Sequence, residues 1–294
     1  MVVDSVHATI AQAMFLGDKN GMGREVKNAY SIAGTSHILA ISGLHVGIVF
    51  LVLSRVLSFL HLIPQGLRIK NIVILGLLLG YMLLTGASPA VVRSVLMFGI
   101  VLIMKVLYLR YNLLNVVGTA ALLQLFFEPE IAFDVGFQLS YLAVIGIITG
   151  FPVWERIVGV ENFWLKLVSS WIGVTICATL GTLPLVIMHF GRFPTYFLLS
   201  NILVSTLAFL LVLVGFFTVI FCYVPLLGEW LGYFCSVLIG YLQAIVLLVG
   251  DLPFPVIEKG IGMQGIGIIL IQLGLAAIFP LSGLLRKSMY GKKY

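Results

Sequence analysis

The sequence predicts an all-α polytopic membrane protein, with about nine transmembrane helices preceded by short amphipathic interfacial helices. Three observations carry that prediction. The 294 residues are 61% hydrophobic and only 10% charged, where a soluble domain carries roughly 25% charged residues. The apolar residues fall in continuous runs, most near the roughly 20 residues a membrane-spanning helix needs. Those runs do not alternate at a period of two, as the strands of a membrane barrel would.

The chain opens with its one extended stretch of mixed polarity, residues 1–36. Ser5 to Leu16 places Val6, Ile10, Ala13 and Met14 on one side of a helix, and Gly17-Asp18 stops it. Arg24 to Ala33 forms a second short helix with Val26, Ala29, Tyr30 and Ala33 on its apolar side. Neither is long enough to span, so both are expected along the outer membrane surface, in contact with lipid. Asp4, His7 and Gln12 interrupt the run in which a cleavable signal peptide would need its apolar core.

Nine apolar segments follow, at about 37–62, 70–85, 89–109, 112–127, 134–151, 163–190, 195–224, 228–250 and 261–283. Pro64 with Gly66, Gly86 through Pro89, Pro129, Pro152, Pro194, Pro225, and Pro253 with Pro255 separate them. Pro184 and Pro280 fall inside segments and should kink them. Residues 37–283 form the transmembrane domain, and 284–294 a basic tail. Three GxxxG pairs, Gly43/Gly47, Gly76/Gly80 and Gly146/Gly150, permit close helix contact.

Loop charges set the orientation. With sides numbered alternately, the N-terminal side carries Lys19, Arg24, Lys27, Arg192 and Lys259. The opposite side carries Arg55, Arg68, Lys70, Lys105, Arg110, Arg156, Lys166, Arg286, Lys287, Lys292 and Lys293. The positive-inside rule makes the second side cytoplasmic, with the N-terminus outside and the basic tail inside. Cys177, Cys222 and Cys235 lie within apolar runs and suit buried hydrophobes, not a zinc or disulfide framework.

Ionisable and polar groups inside a hydrocarbon layer mark a pathway or a site. The stretch from Ser36 to Gly47 holds His37, Ser42, Gly43 and His45 at the head of an apolar run. Eight residues apart, the two histidines differ by about 80° in direction and roughly 12 Å along a straight helix, too far to share a metal. A break at Ser42-Gly43 would change that spacing. They either serve a buried hydrogen-bonded role or line a polar path, with an intramembrane metal hydrolase as the third reading. Arg93 lies one turn into a helix started by Ser88-Pro89, where a cation opposes the helix dipole and needs a partner. Asp134, Gln138 and Tyr141 form a stripe at i, i+4 and i+7. Asp134 has the position of a helix cap, whereas Gln138 needs partners in the bundle. Thr175, Thr179, Thr182 and His189 follow the same spacing, and Asn201 with Ser205 adds an i, i+4 pair. Four striped helices suit a shared hydrated interior, for a charged polymer or for a small solute.

Several motifs resemble one family in order. His37-Ile-Leu-Ala-Ile-Ser-Gly-Leu-His-Val-Gly47 resembles the signature of the ComEC-type competence domain. Leu16-Gly17-Asp18-Lys19, Tyr81 through Arg93, Asp134 through Ala143, and Thr182 to Leu185 followed by Phe190-Gly191 and Asn201 resemble its further blocks. The resemblance covers roughly residues 8–283. It implies a channel that passes single-stranded DNA across the bacterial inner membrane during natural transformation. The positions it carries over are His37, Ser42, Gly43, His45, Arg93, Asp134, Gln138 and Asn201, without a role for each. It also implies partners: an external DNA-binding domain, a nuclease domain or protein, and cytoplasmic DNA-handling proteins. No HxHxDH-type motif occurs, so no nuclease or other enzyme activity, metal or cofactor is expected of this chain. The alternative is a secondary transporter for a small anionic solute, whose hallmark would be helices broken at the midplane.

Overall fold

The computed structural model describes residues 5–18, 21–39 and 41–258. Ten α-helices run through them: α1 (Ser5–Leu16), α2 (Arg24–Ile32), α3 (Gly43–Val56), α4 (Gly66–Leu84), α5 (Pro89–Val106), α6 (Leu113–Phe127), α7 (Val135–Val158), α8 (Phe163–Phe190), α9 (Phe197–Ile220) and α10 (Leu227–Gly250). Two three-residue strands, β1 (Arg192–Pro194) and β2 (Val256–Glu258), pair antiparallel with Arg192 opposite Glu258. The segment at 261–283, Pro280 and the basic tail lie outside the described residues.

Among the described residues, seven helices are long and apolar enough to cross a membrane: α3 with the 3-10 turn that continues it to Leu62, then α4, α5, α7, α8, α9 and α10. Their outer faces stay bare: Leu62 and Leu84 are each 87% exposed and Phe127 at the end of α6 is 80% exposed. Apolar surface on that scale has no place in water, and the chain is a multi-pass membrane protein. At 15 residues, α6 extends only about 22 Å, short of the roughly 30 Å hydrocarbon core. Arg55, Arg68, Lys70, Lys105 and Arg110 all precede α6, so the orientation they indicate does not depend on whether it crosses.

The chain forms two compact units. The first holds residues up to Pro129 together with 199–255; the second holds 130–198 and the β2 strand. In the first unit, α3, α4 and α5 share a core of Ile41, Val46, Val49, Ile74, Leu78, Val91, Val95 and Leu102. A Cβ on Gly43 would lie 2.9 Å from Ser94 Oγ, and one on Gly47 3.9 Å from the Phe98 ring. Phe50 stacks on Phe98 at 4.8 Å between centroids. Both helices advance together along these contacts, so α3 and α5 run parallel. Alternate crossings must do so when α4 returns between them. The first predicted glycine pair is therefore a true contact face, whereas Gly76 and Gly80 face open space.

Helix ends follow the expected chemistry. Gly17 stands at φ +75° just past α1. Thr35 N–H donates to the Tyr30 carbonyl and Gly34 N–H to that of Ser31, closing α2 around a left-handed glycine. The same pair of bonds, Ala87 to Met82 and Gly86 to Leu83, closes α4. Pro89 then starts α5 at its first position after Ser88, although the Ser88 hydroxyl makes no capping bond. The apolar side of α1 is covered by protein: Ile10, Ala13 and Met14 are fully buried, and Phe15 seats against Gly215 of α9. Tyr30 of α2 is 1% exposed, and burial pushes its phenol well above the ordinary tyrosine range.

The second unit is built on the α7/α8 hairpin. A Cβ on Gly146 would lie 2.5 Å from the Cys177 carbonyl, one on Gly150 2.9 Å from Cys177 Sγ, and one on Gly181 2.6 Å from the Leu142 carbonyl. The third predicted glycine pair thus lets two backbones touch. Pro152 does not end the helix, contrary to the boundary expected at 151: α7 continues to Val158 and stops at Gly159 with φ +53°. The physical reason lies in α8. Gly150 packs on Cys177 before the proline, and after it Trp154 Nε1 donates to Ser169 O and Oγ, both at 3.0 Å. Contacts on both sides hold the helix through one missing backbone bond.

Leucine at Gly181 is expected to force α7 and α8 apart and destabilise the protein by about 1–3 kcal/mol or more, while leucine at Gly76 is tolerated. Thermal unfolding of the two variants in detergent micelles measures the difference. Equal midpoints would contradict the packing.

Candidate functional site

The chain breaks between two helical pieces at the stretch the sequence singles out. Ser36–Leu39 form one 3-10 turn, Ser42 is extended at φ −122°, ψ 174°, and α3 begins at Gly43. His45 occupies the third position of α3 and is 2% exposed. Its Nδ1 accepts a bond from the Ser42 backbone N–H at 3.2 Å and lies 3.1 Å from Ser42 Oγ. His45 thus fills the role that Glu or Gln takes in a capping box, and satisfies an orphan amide at a buried helix start. With Nδ1 accepting, the neutral ring carries its proton on Nε2. That nitrogen is buried and faces the Met14 backbone carbonyl of α1 without closing a hydrogen bond. Gly43 brings α5 close on the other side, at Ser94. His37 stands outside this cluster, exposed in the preceding turn and held toward the Gly34 carbonyl.

Arg93 immediately precedes Ser94 on α5 and is 5% exposed. Burial to that degree is not the exposure of a side chain snorkelling to headgroups. Because α3 and α5 are parallel, His45 and Arg93 stand near the starts of two neighbouring helices at the same end of the first unit. Asn201, near the start of α9, is half-buried with its Oδ1 buried and unbonded. Ser205, one turn on, is half-buried.

The second unit treats its polar residues differently. Asp134 caps α7, accepting from Phe137 N–H at 2.6 Å. Gln138 Nε2 donates to the Ala132 carbonyl at 2.7 Å, so the partner expected from the bundle is supplied by the turn just before the helix. Tyr141 is buried and tilts against Phe137 at 4.6 Å. Thr175 donates to Trp171 O at 2.9 Å, and Thr182 to Ala178 O at 3.0 Å and to Thr179 O at 3.2 Å. His189 Nδ1 lies 3.2 Å from Leu185 O and its ring is exposed. Threonines bonded back to their own helix need no water-filled interior.

Four buried polar residues of the first unit escape the sequence reading: Asn71 of α4, Gln124 of α6, Ser200 of α9 and Thr35 just past α2, at 7%, 7%, 0% and 0% exposure. The signal was available for the first two, each a lone amide in an apolar run. Among the described residues no three His, Cys, Asp or Glu side chains gather as a metal-binding group.

The competence protein family matches residues 14–284 of this sequence. The chain belongs to that family. It is similar to ComE operon protein 3 of Bacillus subtilis (strain 168), with 32% identity over 216 residues, covering 74% of this chain and 25% of that protein. It is also similar to an uncharacterized protein of Aquifex aeolicus (strain VF5), with 30% identity over 215 residues, 73% of this chain and 48% of that one. The competence-family chain therefore spans between a quarter and half the length of these curated relatives. No solved structure matches it.

Replacing His45 by Leu leaves the Ser42 amide without its acceptor at a buried helix start. The expected cost is about 1–3 kcal/mol, with Gln at the same position restoring most of it through the capping-box geometry. Denaturant titration in mild detergent checks this, and an unaltered midpoint for His45→Leu would refute the capping role.

Proposed function

We propose that this chain is the membrane-embedded part of a channel that passes single-stranded DNA across the bacterial cytoplasmic membrane during competence. The observation that carries the reading is Arg93, a buried cation one turn into a spanning helix. A guanidinium at that depth is costly unless it has a task, and delocalised charge with several donors suits phosphate groups in passage. Membership of the competence family supports the substrate class. His45 and Ser42 hold the adjacent helix start in place, and His37 and Asn201 of the same unit are assigned to the lining or shaping of the path. A wall with few fixed cations favours release as well as entry.

In this reading the N-terminal helices face outward and the basic ends of α3, α4 and α5 face the cytoplasm, as the positive-inside rule directs. The chain itself carries no catalysis. The external DNA-binding and nuclease functions, and the cytoplasmic proteins that draw the strand in, belong to other domains or partners.

Arg93→Ala, introduced in the full-length protein, is expected to lower transformation frequency by tenfold or more at unchanged membrane abundance. Arg93→Lys should recover only part of the loss. Transformation at the normal frequency in Arg93→Ala cells would reject this role.

A further inference from the structure

Between Glu25 and Glu128 the chain has no acidic residue, yet it carries Lys27, Arg55, Arg68, Lys70, Arg93, Lys105 and Arg110. Five of these gather at one end of the first unit. Arg55 lies in the last turn of α3, Arg68 and Lys70 in the first two turns of α4, Lys105 in the last turn of α5, and Arg110 in the α5–α6 connection. All but the half-buried Lys70 are exposed. Charge at the ends of α3 and α5 agrees with the helix dipoles, but Arg68 at the start of α4 stands against its own. The fold compensates by fixing it: Arg68 Nε donates to the Val106 carbonyl at the end of α5, 3.2 Å away.

Arg68 also lies over the Tyr108 ring, 4.8 Å from the centroid. Tyr108 sits where α5 closes, with its N–H on Lys105 O and the Leu109 N–H on Met104 O. That position normally takes glycine, and Tyr108 holds it at φ +55°. A bulky residue in the left-handed region is an outlier that calls for a reason. Tyr108 is 64% exposed, so Arg68 occupies one face of the ring and the other is open. Positive-inside sorting accounts for cations here in general. It does not account for an arginine pinned on an aromatic ring that the backbone strains to present.

We propose that Arg68, Tyr108, Arg110 and Lys105 form a binding surface for single-stranded nucleic acid on this end of the first unit, the guanidinium groups on phosphates and the open face of Tyr108 under a base. Flexible strands are held in this way by cations along the backbone and aromatic rings beneath the bases. The inference rests on the channel reading only for its direction, which makes this the exit face.

The test uses the purified full chain in nanodiscs of phosphatidylcholine, with a fluorescent twenty-nucleotide thymidylate and anisotropy as readout. Binding is expected to weaken with salt at a log–log slope of about −0.7 per phosphate contacted. Arg68→Ala and Arg110→Ala should each weaken it several-fold and flatten the slope by about one such step. Tyr108→Gly is the sharper variant: relieving the left-handed backbone should raise the thermal midpoint while binding falls several-fold. Tyr108→Phe should bind as the original does. Equal binding by Tyr108→Gly and the original, or no binding in these discs, overturns the proposal. So does loss, in Arg68→Ala, only of co-purifying anionic lipid, which would assign the patch to headgroups. Passage through the membrane is read separately, by transformation frequency: binding lost in these variants at unchanged frequency leaves the surface standing and removes it from the transport path.

Discussion

One constraint governs this molecule: a polar group at membrane depth must find its partner inside the protein, because hydrocarbon offers none. Most of its polar side chains obey locally. Threonines 149, 175, 182 and 218 bond to carbonyls of their own helices, Asp134 and Asn162 cap helix starts, and Gln138 returns to Ala132. Trp154 bridges to Ser169 across the α7/α8 hairpin. Such groups cost the fold little and need no further explanation. Among the described residues, the buried atoms left without a hydrogen bond include the hydroxyls of Tyr30 and Ser88, the Nε2 of His45 and the Oδ1 of Asn201, and with them stands the buried cation Arg93. These all lie in the first unit, which is why the candidate path is placed there.

The same constraint explains the unusual role of His45. A helix that starts inside a buried region exposes amides that water cannot reach. The break at Ser42 creates that problem, and the His45 imidazole, accepting from the Ser42 amide at 3.2 Å, solves part of it. Gly43 then allows α5 to approach at Ser94, and the contacts at Gly47, Phe50 and Phe98 carry the parallel packing onward. A motif that looks catalytic from its two histidines is in large part a device for beginning a membrane helix and seating its neighbour.

Much of the fold was legible in the sequence, because membrane helices declare themselves by length and hydropathy. Eight of the nine apolar segments coincide with helices, and the two short N-terminal helices stand where their apolar faces and Gly17 put them. The boundary at Pro152 was misplaced because a proline's effect depends on what braces the helix, and Trp154 on Ser169 is a long-range contact. The three glycine pairs were indistinguishable by spacing, and only the placement of Ser94, Cys177 and Gly181 separates the two in contact from the open Gly76/Gly80 face. For the site, residue types singled out His45 and Arg93, and the structure buries both. They could not show that Thr175 and Thr182 bond back to their own helix, since a stripe on a helical wheel looks the same whether it bonds to its own backbone or lines water.

In the proposed channel the N-terminal ends of α3 and α5 border the path of the strand. A photo-crosslinking amino acid at position 37 or 94, with DNA arrested during uptake in living cells, tests it directly. Covalent adducts to the incoming strand are predicted from both positions and not from position 79 on the exposed side of α4. Adducts from position 79 alone, or from none of the three while DNA is demonstrably in transit, would contradict it.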